Sequence, residues 1–295
     1  MTTDDLIFKP TDEEIEQQDA MQAAFSLLGV RHVSASSIGM YQRCPRQWAY
    51  RYVLGVKVPP DGGLITGLGV HKAAEVGMLH KRDTGENPDP EMAAETAAEY
   101  VGEQIATGEV TLNDDEHAGA ITDKATRVSV AWAETAAPKV QPVEVEQRFD
   151  IEVAGIDVTG RMDVITADRV VDWKTSGKSP NADEHIQSVQ TELYALATAK
   201  PLTYTFLVDL KSGVKVADVD IDQAQAAQAA RFATDTVAEV ARGMALGIWP
   251  RQRKGWHCSK KWCGYYDRCI SNPGRDDATL NELAADARAA AGVMW

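Results

Sequence analysis

Cysteine is scarce in this chain: four occur in 295 residues, at positions 44, 258, 263 and 269. That argues against a disulfide scaffold of the small secreted kind, and the last three, which lie close together, favour metal ligation over disulfides. No apolar run approaches the roughly 18 residues of a membrane span, and Met1-Thr-Thr-Asp-Asp lacks the basic-then-apolar layout of an export signal. A cytoplasmic location with no membrane partner is the expectation. The tripeptide Gly177-Lys178-Ser179 lacks the earlier glycine of a phosphate-cradling loop, because Asp172 stands there, and Pro180 falls where a helix should begin. ATP chemistry is therefore not expected. Internal repeats and low-complexity linkers are also missing.

Positive charge is in short supply as well. The formal net charge is −14, which excludes coating nucleic acid through the overall field. Two windows escape this. Residues 31–60 carry Arg31, Arg43, Arg46, Arg51 and Lys57 with no acid, and residues 242–261 carry Arg242, Arg251, Arg253, Lys254, Lys260 and Lys261, again with none. All 44 acidic residues lie elsewhere, against 19 basic ones. Trp48, Tyr50, Trp256, Trp262, Tyr265 and Tyr266 are interleaved with or adjoin the basic windows. Basic side chains that track a phosphate backbone, with aromatics that stack on bases, compose a single-strand groove. Packing accounts for most of these aromatics, with one or two left for base contact.

The chain reads as α/β. Residues 1–30 are acidic and weakly helical, an N-terminal arm. A short helix from Ser34 breaks at Cys44-Pro45, and a second starts near Pro45, where proline suits a first turn. Residues 62–69 read as a glycine-spaced loop leading into a helix over 69–80. Residues 85–140 form a helical insertion. The period then changes to two: 143–153, 156–166 and 169–175 read as a β-meander with turns at Ala154-Gly155 and Ala167-Asp168. A helix over 182–199, strands over 203–210 and 214–221, and a long helix over 222–246 follow. Residues 31–270 are expected to form one domain, and 271–295 a helical tail.

Strand periodicity projects Asp172 and Lys174 to one face while Trp173 points the other way, into a core. The preceding strand brings Asp163 alongside. Two carboxylates on neighbouring strands with a lysine beside them suit a hard divalent cation such as Mg²⁺ or Mn²⁺ and hydrolysis of a phosphate ester. Asp172 follows Arg-Val-Val at the end of a buried-type strand, where an unpaired acid is costly. Gln190 and Tyr194, at i and i+4, share a helix face and can bond a phosphate or orient the lysine. His71 opens a helix after Gly67. The spacing Cys258-x₄-Cys263-x₅-Cys269 with Cys44 far upstream makes one four-thiolate site, open to zinc or to an iron–sulfur cluster.

The ordered series Gly67…His71, Gly160-x-x-Asp163, Asp172-x-Lys174 and Gln190-x-x-x-Tyr194, with Ser34-Ala-Ser-Ser-Ile, Tyr41, Cys44-Pro45-Arg46 and Tyr50-Arg51-Tyr52, resembles the RecB-like branch of the PD-(D/E)xK nucleases over roughly residues 33–270. Met162 stands where the family name has proline. The resemblance implies a restriction-endonuclease-like core, a central mixed sheet flanked by helices. It implies His71, Asp163, Asp172 and the Trp173 backbone carbonyl as metal ligands, Lys174 as the catalytic lysine, and Gln190 and Tyr194 as accessory catalytic residues. CRISPR-adaptation exonucleases and AddB-type nucleases of this family hold a 4Fe–4S cluster on one N-terminal and three C-terminal cysteines, which implies the same for Cys44, Cys258, Cys263 and Cys269, a clasp joining the two ends of the chain. The expected activity is a metal-dependent DNA exonuclease acting on single strands or free ends. Arg46, Arg51, Arg251, Arg253, Lys254, Lys260 and Lys261 are expected on the DNA, and recombination, repair or CRISPR-adaptation proteins are expected partners. The alternatives are an inactive DNA-binding or assembly subunit of the same fold and a zinc-stabilised interaction protein.

Overall fold

A computed structural model of the chain describes residues 12–112 and 117–292. The chain forms two compact units, one of residues 1–58, 150–159 and 233–295, the other of residues 59–149 and 160–232. One boundary falls in the irregular segment before Pro59-Pro60, and the other three fall inside β-strands and a long helix, where no change of composition marks them.

The second unit contains most of a five-stranded mixed sheet, flanked by helices, in the order β1-β2-β3-β4-β5. The strands are β1 (Glu144–Val153), β2 (Ile156–Ile165), β3 (Val170–Ser176), β4 (Leu202–Leu210) and β5 (Gly213–Ile221). β3 runs antiparallel to β2 but parallel to β4, with Asp172 opposite Tyr204 and Lys174 opposite Phe206. β4 is buried along seven consecutive residues, as a central strand covered on both faces should be. On one face Val171, Trp173 and Leu207 pack with helices α4 (Gly62–Thr84), α5 (Pro90–Ala106) and α6 (Ala118–Thr135). On the other, Val170, Tyr204, Phe206 and Val208 pack with Tyr194 of α8 (Val189–Thr198) and Ala226 of α9 (Gln223–Ala245). Trp173 is 1% exposed and meets Trp132 edge-on at 5.8 Å.

Residues 62–69 are not a loop. Asp61 caps α4 by accepting from Leu64 N at 2.8 Å, and the helix runs unbroken through the glycines. Their spacing answers to packing rather than to turns. A Cβ on Gly69 would lie 2.8 Å from Val101 Cγ2, one on Gly77 2.8 Å from the Trp132 ring, and one on Gly67 3.1 Å from Thr175 Oγ1. The small residues let α4 approach α5, α6 and β3. Lys81, buried on the same helix, donates to the carbonyls of Ala137 and Pro138. The helix expected over 182–199 is also two: α7 (Ala182–Ile186) ends at Gln187, and Ser188 caps α8. Thr191 Oγ1 donates to the His185 carbonyl at 2.6 Å, so side chains replace the helical ladder at the break.

In the first unit, α1 (Asp12–Leu27) packs against α10 (Asp277–Ala290), and Ala24, Phe25 and Leu28 are buried. From Asp12 to Leu27 the acidic N-terminal arm is thus a packed helix; residues 1–11 lie outside the described residues. Ala154 and Gly155, both at positive φ, turn β1 into β2 in the hairpin form that right-twisted strands favour. α2 (Ala35–Arg43) ends at Cys44, and α3 (Pro45–Trp48) continues as one π-helical turn over Ala49–Val53. Tyr41 of α2 donates to the Ile248 carbonyl at 2.6 Å, and Trp48 lies 6.2 Å from Trp249. Among the described residues, no helix is long and apolar enough to cross a membrane.

Candidate metal centre and thiol cage

The catalytic candidates all belong to the second unit. The Trp173 backbone N–H donates to Asp163 Oδ2 at 2.8 Å, and His71 Nδ1 lies 3.2 Å from the same oxygen. One carboxylate therefore joins β2, β3 and α4. Burial on its own would lower the His71 pKa, but the bond to Asp163 and the charges of Asp163 and Asp172 outweigh it and hold the imidazole above its usual value.

Asp172 is 3% exposed, and burial followed by the Asp163 charge pushes its pKa up. Lys174 Nζ sits 2.5 Å from Asp172 Oδ1 and donates to Gln190 Oε1 at 2.9 Å. Gln190 Nε2 in turn approaches Asp172 Oδ2 (2.9 Å) and the Tyr194 hydroxyl (2.8 Å). That hydroxyl donates to the Arg161 carbonyl at 2.5 Å, and burial holds its pKa well above the ordinary range. The glutamine fixes the lysine and the carboxylate together, because its amide presents an acceptor to one and a donor to the other.

Glu146 was not among the residues expected here. It stands in β1 at φ 52°, a left-handed conformation that costs a non-glycine residue about 1–3 kcal/mol and gathers at functional sites. Its carboxylate and donor atoms of His71 and Asp163 all lie within 4.8 Å of one another. Burial, then the charges of Asp163 and Glu75, raises its pKa to about 7; a cation would reverse that. The set brought together is thus His71, Glu146 and Asp163, with Asp172 tied to Lys174. Nitrogen and carboxylate donors of this kind suit Mg²⁺ or Mn²⁺. The buried Asp172 Oδ1 is held by the lysine charge alone, with no well-aligned hydrogen bond among the described residues.

The cysteines belong to the first unit, and all four are free and line one small cavity with Gln47, Tyr50 and His257. Gln47 Nε2 donates to Cys263 Sγ at 3.1 Å. Burial pushes the Cys258 and Cys263 thiols up, and burial with the neighbouring Cys269 raises Tyr50 to about 12. Arg46 and Arg251 border the cage, each on Asp277 Oδ1, at 3.0 and 2.7 Å, with buried Nε atoms that find no hydrogen-bond partner among the described residues. Four convergent thiols amid surplus donors fit an anionic metal–thiolate centre. Among the basic residues expected on DNA, these two arginines are engaged by Asp277, while Arg51, Arg253, Lys254, Lys260 and Lys261 are exposed.

The PD-(D/E)XK nuclease superfamily model matches residues 32–270. A crystal structure from Eubacterium rectale, of a protein provisionally designated an exonuclease, superposes with a TM-score of 0.53 at 11% identity, covering 85% of this chain and 93% of its own. The crystal structure of SSO0001 aligns over 88% of this chain and 96% of its own at 14% identity, with a TM-score of 0.36. No curated protein is significantly similar in sequence.

Proposed function

The chain belongs to the PD-(D/E)XK nuclease superfamily, and from that premise we propose that it is a divalent-metal-dependent DNA exonuclease, acting on single strands or free ends, with a 4Fe–4S cluster on its four cysteines. The observation that carries the reading is the junction of His71, Glu146 and Asp163 with the Asp172–Lys174–Gln190–Tyr194 network. His71, Glu146, Asp163 and Asp172 would hold Mg²⁺ or Mn²⁺. When bound, that ion supplies an acidified water and polarises the phosphoryl group. Lys174 keeps an ammonium beside the carboxylates, where it can offset the charge that develops on a phosphate oxygen. Gln190 and Tyr194 hold that lysine in place and leave it few rotamers. Exonuclease action agrees with the designation of the Eubacterium rectale protein.

Degradation of end-labelled linear DNA tests the reading. Cleavage is expected with Mg²⁺ or Mn²⁺, faster on single strands than on duplex, and absent in EDTA; a sealed single-stranded circle should resist. Cleavage indifferent to EDTA, or equally fast on the circle, overturns the metal mechanism or the exonuclease mode respectively. Iron and acid-labile sulfide at about four each per chain, with broad visible absorption, are expected of anaerobically purified protein. Zinc alone would replace the cluster assignment and leave the nuclease untouched.

A further inference from the structure

The aromatics around the cysteines separate into two groups. Trp48, Tyr50 and Tyr265 are buried, whereas Trp256 is 72% exposed and Trp262 57%. These two indoles meet edge to face at 5.6 Å, and Lys261 Nζ lies 5.3 Å from the Trp262 ring centre. The pair is built by a closed turn, not displayed on a loose loop. Cys258 N donates to the Gly255 carbonyl, Ser259 Oγ to the Trp256 carbonyl at 2.9 Å, and the Trp262 and Cys263 N–H groups to the Ser259 carbonyl. Two residues of the turn, Cys258 and Cys263, line the cage.

Two exposed tryptophans side by side are a costly display of apolar surface unless something covers them. Their surroundings say what. Arg253, Lys254, Lys260 and Lys261 are exposed and form no ion pair among the described residues. No acid lies between Ile248 and Tyr266, in a chain whose net charge is −14. Beside Cys258 runs an open groove of about 540 Å³ lined by Arg251, Arg253, Lys254, Tyr266 and Ile270. Flat π-faces set among unpaired cations match a chain that alternates bases with phosphates.

We propose that Trp256 and Trp262 form a base-stacking platform that grips a single DNA strand, with Arg253, Lys254, Lys260 and Lys261 on its phosphates. The assignment rests on the nuclease reading for the identity of the strand and adds a second contact surface, in the other unit from the metal centre. Stacking carries no sequence preference, because every base has a face.

The test uses the full chain in EDTA, so that binding is read without cleavage. Against a labelled thymidine 20-mer, W256A/W262A should bind about 10- to 100-fold more weakly, while W256F/W262F should stay within a few-fold of wild type. Against an abasic strand of the same length, all three proteins should bind alike. Equal loss on both strands would assign the indoles to folding of the turn, and unchanged affinity on both would assign them to a protein partner; either overturns the platform. Should the alanine variant fail to fold, a W295F protein serves, since Trp48, Trp132, Trp173 and Trp249 are buried: the 20-mer must shield its tryptophans from iodide and the abasic strand must not. Cleavage in Mg²⁺ is measured on the same preparations. Binding that depends on the tryptophans, without any cleavage, would sink the nuclease and spare the platform.

Discussion

Lys174 is gripped from two sides, by the carboxylate of Asp172 and the amide oxygen of Gln190. In the proposed mechanism its charge acts on the charge that appears in the transition state rather than on holding DNA in the ground state. Lys174→Ala should therefore lower kcat by about 10²–10⁴-fold while strand affinity measured in EDTA stays within a few-fold. A rate near wild type would remove the lysine from the chemistry. Lys178→Ala, in the exposed Gly-Lys-Ser turn, should keep most activity, and neither protein should hydrolyse ATP. At this scale the sequence is legible where side-chain type and strand parity suffice. Asp172, Lys174 and the core-facing Trp173 follow from a period of two, and Gln190 and Tyr194 from a period of 3.6. Glu146 does not follow. It is one of several acids on an alternating strand, and what selects it is a local φ of 52° that no pattern of residue types announces.

At the scale of elements, the site depends on how closely α4 lies against its neighbours, because α4 carries His71 to Asp163. Glycine in a helix usually costs about 1 kcal/mol relative to alanine, so filling one should stabilise wherever space permits. Gly102 in α5 has open space around its missing Cβ, while Gly77 in α4 faces Trp132 and Pro88 at under 3.0 Å. Gly102→Ala should then raise stability by about 0.4–1 kcal/mol. Gly77→Val should lower it by about 1–3 kcal/mol and reduce cleavage as well, through displacement of His71. Urea denaturation and initial rates on the same proteins check both; stabilisation by Gly77→Val would show that α4 does not need the close approach. The glycine spacing over 62–69 suggests a loop because the sequence shows the lost propensity and not the partner. Only tertiary contact reveals why the helix tolerates it. The division of 182–199 at Ser188 is hidden for a similar reason, since the apolar pattern runs through a break made by side-chain hydrogen bonds.

At the scale of the whole molecule, the first unit is assembled from three stretches of chain far apart in sequence, and a metal centre on the four thiols, as proposed, would tie the first of them to the last. Closing the loop between Cys44 and Cys258 in that way would restrict the unfolded chain by about 5 kcal/mol on chain-entropy grounds, a sum comparable to the stability of a small domain. Serine is a poor substitute, since its hard hydroxyl does not replace a soft thiolate. Cys44→Ser should lose the bound metal, and limited proteolysis should then cut within residues 12–58 and 233–292 first. The turn that carries Trp256 and Trp262 contains two of the four cysteines, so affinity for the thymidine 20-mer should fall with it, and the salt dependence of binding should flatten as fewer phosphates are neutralised. His71, Glu146, Asp163, Asp172 and Lys174 all belong to the other unit. Metal-dependent hydrolysis of a small phosphodiester such as thymidine 5′-(p-nitrophenyl phosphate) should accordingly survive in the variant while degradation of long single strands declines. A Cys44→Ser protein that keeps its metal content, its protease pattern and its strand affinity would show that the four thiols share a cavity without closing a clasp.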